Sequence, residues 1–190
     1  MSRVEIADAE LVSSAVRGDR AAFELLVDRF SGRVLGMALR MLGDRADAED
    51  VTQEVFVTAW CGLSALTEPA AVRTWLFRVA HRQCLAVLRS RAGRRTDPAA
   101  ELPDWGATPV GAGVVPRDPE RSAEALAALE ALWRALRGLP SAQRAVWLLA
   151  ELDGLSYAEI ADALGTTEES VRGRLARARH QLAATMRAWR

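Results

Sequence analysis

Apolar residues recur at helical spacing along almost the whole chain. Asp8 is placed to cap a first short helix that stops at Gly18, and Asp19 to cap a longer one running through "AAFELLVDRFSGRVLGMALRML" to Gly43. The stretch "DAEDVTQEVFVTAW" predicts a third helix, with Asp47 at its cap and Asp50 at its third position. A fourth is expected from about Ala70 to Ser90. The pattern then breaks: Ala92 to Glu120 holds five of the seven prolines, is rich in glycine and has no apolar period. Such a stretch is expected to be a mostly extended linker, and its length argues against one compact domain. Helical periodicity resumes at about Ser122 and continues to the end. No segment alternates convincingly and no solenoid period appears, so strands are not expected. The fold class is all-α, two small helical domains at 8–91 and 122–187 joined by a flexible linker at 92–121.

Composition narrows the function classes. A chain of 190 residues, half of them hydrophobic, suits one or two domains with real cores. Acids and bases balance at 25 each, so net charge says nothing about partners; every basic residue is Arg. The N-terminus "MSRVEIADAE" is polar and acidic, unlike a signal peptide. No apolar run approaches the ~18–20 residues of a membrane span. A soluble, cytoplasmic protein without membrane insertion is expected. Cys61 and Cys84 lack a CxxC-type partner and have only His81 and His180 for company, so a metal site or disulfide is not expected. Both thiols are expected to be buried. No Ser/His/Asp constellation is apparent, and "GDRADAED" lacks the lysine and glycines of a phosphate loop, so neither an enzyme nor a cofactor is expected. Trp105 and Trp147 are better taken as a linker contact and a core residue.

Three helix faces carry candidate chemistry. Advancing roughly 100° per residue along the third helix puts Val51, Val55, Phe56, Ala59, Trp60 and Leu63 on one half of the wheel. Asp47, Asp50, Gln53, Glu54 and Thr58 fill most of the other half. A solvated face with acids at a helix N-terminus accounts for this second set. The acids cluster without an Arg at i+4, however, which suits a partner rich in Arg. On the fourth helix Val72, Leu76, Val79, Ala80 and Val87 form the expected core stripe. Arg78, Arg82 and Arg89 fall within roughly 40° of one another on the far side. Trp75 borders the stripe, His81 lies on its other flank, and Arg91, Arg94 and Arg95 extend the charge. An ordinary basic face explains this; so does a site for a melted DNA strand, where Arg meets phosphate and a ring stacks on bases.

The segment "GLSYAEIADALGTTEESVRGRLARARHQL" has helix-turn-helix grammar. Gly165 is the turn, Thr166 the expected cap of the second helix, and Glu169 its capping-box partner. Val171, Leu175, Ala178 and Leu182 make a narrow apolar stripe opposite Ser170, Gly173, Arg174, Arg177, His180 and Gln181, with Arg172 and Arg179 flanking it. A recognition helix places its first turns in the major groove, where Arg reads guanine or clamps phosphate. A plain two-helix hairpin with a basic surface is the simpler alternative.

Together these features resemble an extracytoplasmic-function (ECF) sigma factor of the sigma-70 family. "DAEDVTQEVFVTAW" is similar to the family's polymerase-binding segment, and "TWLFRVAHRQCLAVLRSR" to its promoter-melting, minus-ten-reading helix. "LPSAQRAVWLLAELDGLSYAEIADALGTTEESVRGRLARAR" resembles region 4, which reads the minus-35 element. The resemblance implies binding to core RNA polymerase through the β′ clamp by Asp47, Glu49, Asp50, Gln53 and Glu54, with a further contact to the β flap. It implies minus-ten DNA contacts by Arg73, Trp75, Arg78, His81, Arg82, Arg89 and Arg91. It implies minus-35 contacts by Glu168, Ser170, Arg172, Arg174, Arg177 and Arg179. Promoter DNA and an anti-sigma factor are the other implied partners. The chain departs from the family pattern at Arg82, Ala86, Glu168, Glu169 and Gly173. A free-standing helix-turn-helix regulator that works without polymerase is the alternative.

Overall fold

The computed structural model describes residues 6–94 and 119–189. Residues 95–118 of the expected linker, Arg95 and Trp105 among them, lie outside the described residues. The elements are α1 (Asp8–Val16), α2 (Arg20–Leu42), α3 (Arg45–Gly62) and α4 (Val72–Arg94), then α5 (Pro119–Arg137), α6 (Ser141–Glu151), α7 (Tyr157–Leu164) and α8 (Glu168–Trp189). Two short 3-10 turns, Leu63–Ala65 and Pro69–Ala71, lie between α3 and α4. Among the described residues there is no strand.

Local chemistry sets most helix ends. Asp19 caps α2 by accepting from the N–H groups of Ala21 and Ala22, and Gly43 closes it in the left-handed region at φ 69°. Two other caps differ from expectation. Ala7 occupies the cap of α1, and the Asp8 carboxylate pairs instead with Arg29 of α2. Asp44, not Asp47, caps α3, taking the Asp47 N–H at 2.9 Å. The α7–α8 junction corrects a third. The capping box belongs to α7, where the Ser156 hydroxyl and the Glu159 carboxylate each satisfy the other's backbone N–H. Thr167, one residue beyond the expected Thr166, accepts from the Ser170 N–H at 3.2 Å; the Thr166 N–H instead closes the turn on the Ala161 carbonyl.

Helices α1–α4 form one bundle and α5–α8 a second, and α4 lies between them. One side of α4 packs on α2 and α3, the other on α7. Of the expected stripe Val72, Leu76, Val79 and Ala80 are buried and Val87 is half-buried, but Thr74, Phe77, His81 and Cys84 are buried as well. Those four lie off the stripe, on a helix that packs on α7 as well as on α2 and α3. Apolar residues of both bundles form one continuous core cluster.

Two guanidiniums meet at the end of α2. The last carbonyls of a helix have no partner within it. Arg91 of α4 donates to the Leu42 carbonyl at 2.8 Å. Arg144 of α6 donates to the neighbouring Met41 carbonyl at 2.6 Å. Arg144 also donates to the carbonyls of Leu136, Arg137 and Leu139, so one side chain closes α5 and ties it to α2.

Ser156→Ala and Thr167→Ala will each cost about 1 kcal/mol of stability, and Thr166→Ala distinctly less. Urea denaturation of the three variants beside the wild type measures the ranking.

Candidate functional site

The polar face of α3 is smaller and less purely acidic than its sequence suggests. Asp47 pairs with Arg91, and Glu49 with Arg45 at 2.8 Å across one helical turn. The acids therefore do have Arg partners, one of them four residues earlier rather than later. Asp50, Gln53 and Glu54 remain exposed, with no hydrogen bond or ion pair among the described residues. Trp60, expected on the apolar half, is 49 % exposed, and Val57 beside it is 57 % exposed. The physical reason is that the buried arc is narrow, centred on Ala48, Val51, Val55 and Ala59. Trp60 falls outside that arc and leans its ring edge-on against Phe23, with centroids 4.9 Å apart. The open face is thus an aromatic and an aliphatic group among Asp50, Gln53 and Glu54. Cys61 continues it and is exposed, contrary to expectation; Cys84 is buried, which pushes its thiol up to about 12.

On α4 the expected Arg row divides. Arg82 and Arg89 are exposed. Arg78 pairs with Asp162 of α7, and Arg73 donates to the Asp153 carbonyl just after α6. Arg91 is held by Asp47 and Leu42 as above. Trp75 is half-buried, packed on the core and over Gly62, where a Cβ would lie 3.3 Å from its ring. His81 is the clearest correction: expected on an open flank, it is 8 % exposed, and its Nε2 has no hydrogen-bond partner. Burial, with a smaller contribution from Arg174 of α8, pushes the imidazole down to about 4.

The helix pair α7–α8 places its stripe as the spacing predicts: Val171, Leu175, Ala178 and Leu182 are all buried. Glu168, Arg172, Arg177 and Arg179 are exposed, and Ser170 and Arg174 are half-buried. Glu169, exposed, takes no part in a cap. Gly173 leaves room for Arg177, whose guanidinium would lie 3.5 Å from a Cβ there. The Nε and Nη2 of Arg179 both donate to Glu151 Oε1, at 2.8 and 2.6 Å. The helix therefore presents Arg172 and Arg177 outward, with no acidic partner among the described residues.

The Sigma-70 region 2 model matches residues 26–94 and the Sigma-70, region 4 model residues 129–182. The RNA polymerase sigma factor NccH of Alcaligenes xylosoxydans xylosoxydans is 34 % identical over 181 residues, 94 % of either chain. This chain belongs to the ECF group of sigma-70 factors. The ECF sigma factor SigM of Mycobacterium tuberculosis is 36 % identical over 95 % of this chain and 85 % of its own. CnrH, solved in complex with the cytosolic domain of CnrY, superposes with a TM-score of 0.69 and 29 % identity over 96 % of this chain and 99 % of that one. The sigma factor RpoE of Bartonella quintana, solved with the anti-sigma factor NepR, shares the fold with a TM-score of 0.71 at 20 % identity, over 88 % of this chain and 98 % of its own. An ECF sigma factor directs RNA polymerase to promoters, and its family is one of non-enzymatic initiation factors. No helix among the described residues is long and apolar enough to cross a membrane.

Sequence reasoning missed the groups joining region 2 to region 4, because each pair is far apart in the chain. Arg40 of α2 lies 5.0 Å over the Trp133 ring of α5, with Gly36 leaving space for its guanidinium. Burial raises Asp153 to about 6 against the opposing pull of Arg40, Arg73 and Arg33. For His81 the folded value lies below the ordinary 6.5, so folding favours the neutral ring. Its contribution to stability is whole above pH 6.5 and is lost as pH falls toward 4. Thermal denaturation between these limits will show wild type losing stability relative to His81→Gln as pH falls. Parallel profiles would place His81 in solvent.

Proposed function

We propose that this sigma factor grips core polymerase with the open face of α3. The observation that carries the proposal is the exposed set Asp50, Gln53 and Glu54 around Val57 and Trp60. An aromatic anchor ringed by charges is the composition of an interface hot spot. The acids steer an Arg-rich partner and Trp60 supplies the desolvated contact. Asp47 acts mainly by holding α3 to Arg91 of α4, and Glu49 by pairing with Arg45 within α3 itself. The partner surface is the β′ clamp, with region 4 also reaching the β flap.

The DNA contacts divide by accessibility. Arg82 and Arg89 meet the phosphates of a melted minus-ten strand, joined by Arg73, Arg78 and Trp75. His81 supports α4 from within rather than touching a base. In region 4, α8 enters the major groove at the minus-35 element with Arg172, Arg174 and Arg177 as principal contacts. Ser170 and Glu168 lie at its leading turn, and Arg179 joins once it leaves Glu151. The protein works in the cytoplasm as a binding subunit with no catalytic residue of its own. By analogy with CnrH, which was solved bound to part of another protein, an anti-sigma factor holds it until it is needed.

Titration with purified core RNA polymerase tests the grip. Asp50→Arg and Trp60→Ala are each expected to weaken binding by about tenfold or more, which corresponds to about 1.4 kcal/mol. Circular dichroism should show both variants folded. Wild-type affinity retained by both would remove α3 from the interface.

A further inference from the structure

A further set of arginines gathers around the carboxyl group of Asp153. Arg33, Arg40 and Arg73 all lie close enough to pull on it. Three guanidiniums against one carboxylate leave two positive charges in excess. These charges are not tied to one another. Arg73 donates from Nη2 to the Asp153 backbone carbonyl, and among the described residues the carboxylate accepts no hydrogen bond. Burial therefore outweighs all three arginines and raises Asp153 to about 6. The Nε of Arg40, the Nε of Arg73 and the Nε1 of Trp133 are buried, and none has a hydrogen-bond partner among the described residues. A buried donor without an acceptor is costly, so three at one place point to an acceptor from outside the chain. The seat of Arg40 is prepared. Its guanidinium lies 5.0 Å over the Trp133 ring, and a Cβ at buried, mid-helix Gly36 would come within 2.5 Å of its Nη1. Glycine is a poor helix former, and here it makes room for a cation. The ring and the bare backbone position the guanidinium without taking its hydrogen bonds.

We propose that Arg33, Arg40 and Arg73, with the Trp133 indole N–H, form a binding site for a small phosphate-class dianion, either free phosphate or the phosphate of a monoester. A dianion neutralises the excess of two charges. Its oxygens point in several directions and accept from several guanidiniums at once, which is what the Nε groups lack. Arg33 is exposed, while Arg40, Arg73 and Trp133 are half-buried, so the anion enters from the Arg33 side and is partly desolvated where it rests. Asp153 opposes it with a single negative charge. Trp133 already has Arg40 over its ring and offers no face for a base to stack on, which favours a small anion over a nucleic-acid strand. Only Arg73 is shared with the promoter contacts, and the site stands whether or not α4 binds DNA.

The test uses the full chain, isotope-labelled and titrated at constant ionic strength with sodium phosphate and, in parallel, with phenyl phosphate. The indole N–H signal of Trp133, assigned through Trp133→Phe, reports the site by NMR. Wild type should show a saturable shift. Saturation with phosphate alone assigns the site to the free anion, and saturation with both extends it to monoesters. Arg40→Gln should weaken binding by about tenfold or more, and Arg33→Gln, at an exposed position, by about threefold. Asp153→Asn should strengthen it by about three- to tenfold, because the opposing charge is gone. Arg89→Gln removes an exposed guanidinium roughly 24 Å along α4 from Arg73 and should change nothing. Circular dichroism checks that each variant is folded. Should Arg40→Gln not fold, Arg33→Gln and Asp153→Asn decide the matter by moving the affinity in opposite directions. A shift that climbs without saturating in wild type would mean an adventitious ion only and would overturn the site. So would a saturable shift that the folded Arg33 and Asp153 variants leave at wild-type affinity. Either result leaves the polymerase-binding reading of α3 standing.

Discussion

The two-sided burial of α4 governs the rest of this molecule. A helix at the surface of a bundle hides one stripe and offers the remainder to solvent or a partner. Here Leu76, Val79 and Ala80 are buried, Phe77 and His81 off that stripe are buried too, and α4 packs on α2, α3 and α7. What stays open on the helix is a remnant, chiefly Arg82 and Arg89. Separating the regions would break this apolar contact as well as the ion pair of Arg78 with Asp162.

The electrostatics of that interface rest on arginine meeting backbone as much as arginine meeting acid. Arg91, Arg144 and Arg73 each donate to a carbonyl at or just beyond a helix end. Helix C-termini carry partial negative charge and unpaired acceptors, so a guanidinium there gains two effects at once. Arg144 serves four carbonyls, which a lysine with a single nitrogen would not do at once. The all-Arg basic set thus has a structural use in this fold, although composition alone suggests none. It also explains why so few of the arginines that look available for DNA are free.

How much of this was legible in the sequence depended on whether a residue's environment was local. The stripe Val171, Leu175, Ala178 and Leu182 emerged from spacing alone because α8 buries one side only. Gly43 and Asp19 marked the ends of α2 because their chemistry acts within a turn. Caps went wrong where two candidates stood close together, Asp44 against Asp47 and Thr167 against Thr166; the pattern does not choose between them, and hydrogen-bond geometry does. Asp47 looked unpaired because Arg91 is 44 positions away along the chain. His81 looked accessible because nothing on α4 announces that another bundle lies over it.

The interface also bears on what can open it. It favours the neutral form of two groups with opposite acid–base character. His81 falls from 6.5 to about 4, so its contribution is lost as pH drops through that span. Asp153 rises from 3.8 to about 6, so its contribution is whole at low pH and lost as pH climbs through nearly the same span. The two shifts are opposite in sign, so neither direction of pH change weakens both groups at once. A ligand with greater affinity for one state is the effective kind of trigger, since only differential binding moves such an equilibrium.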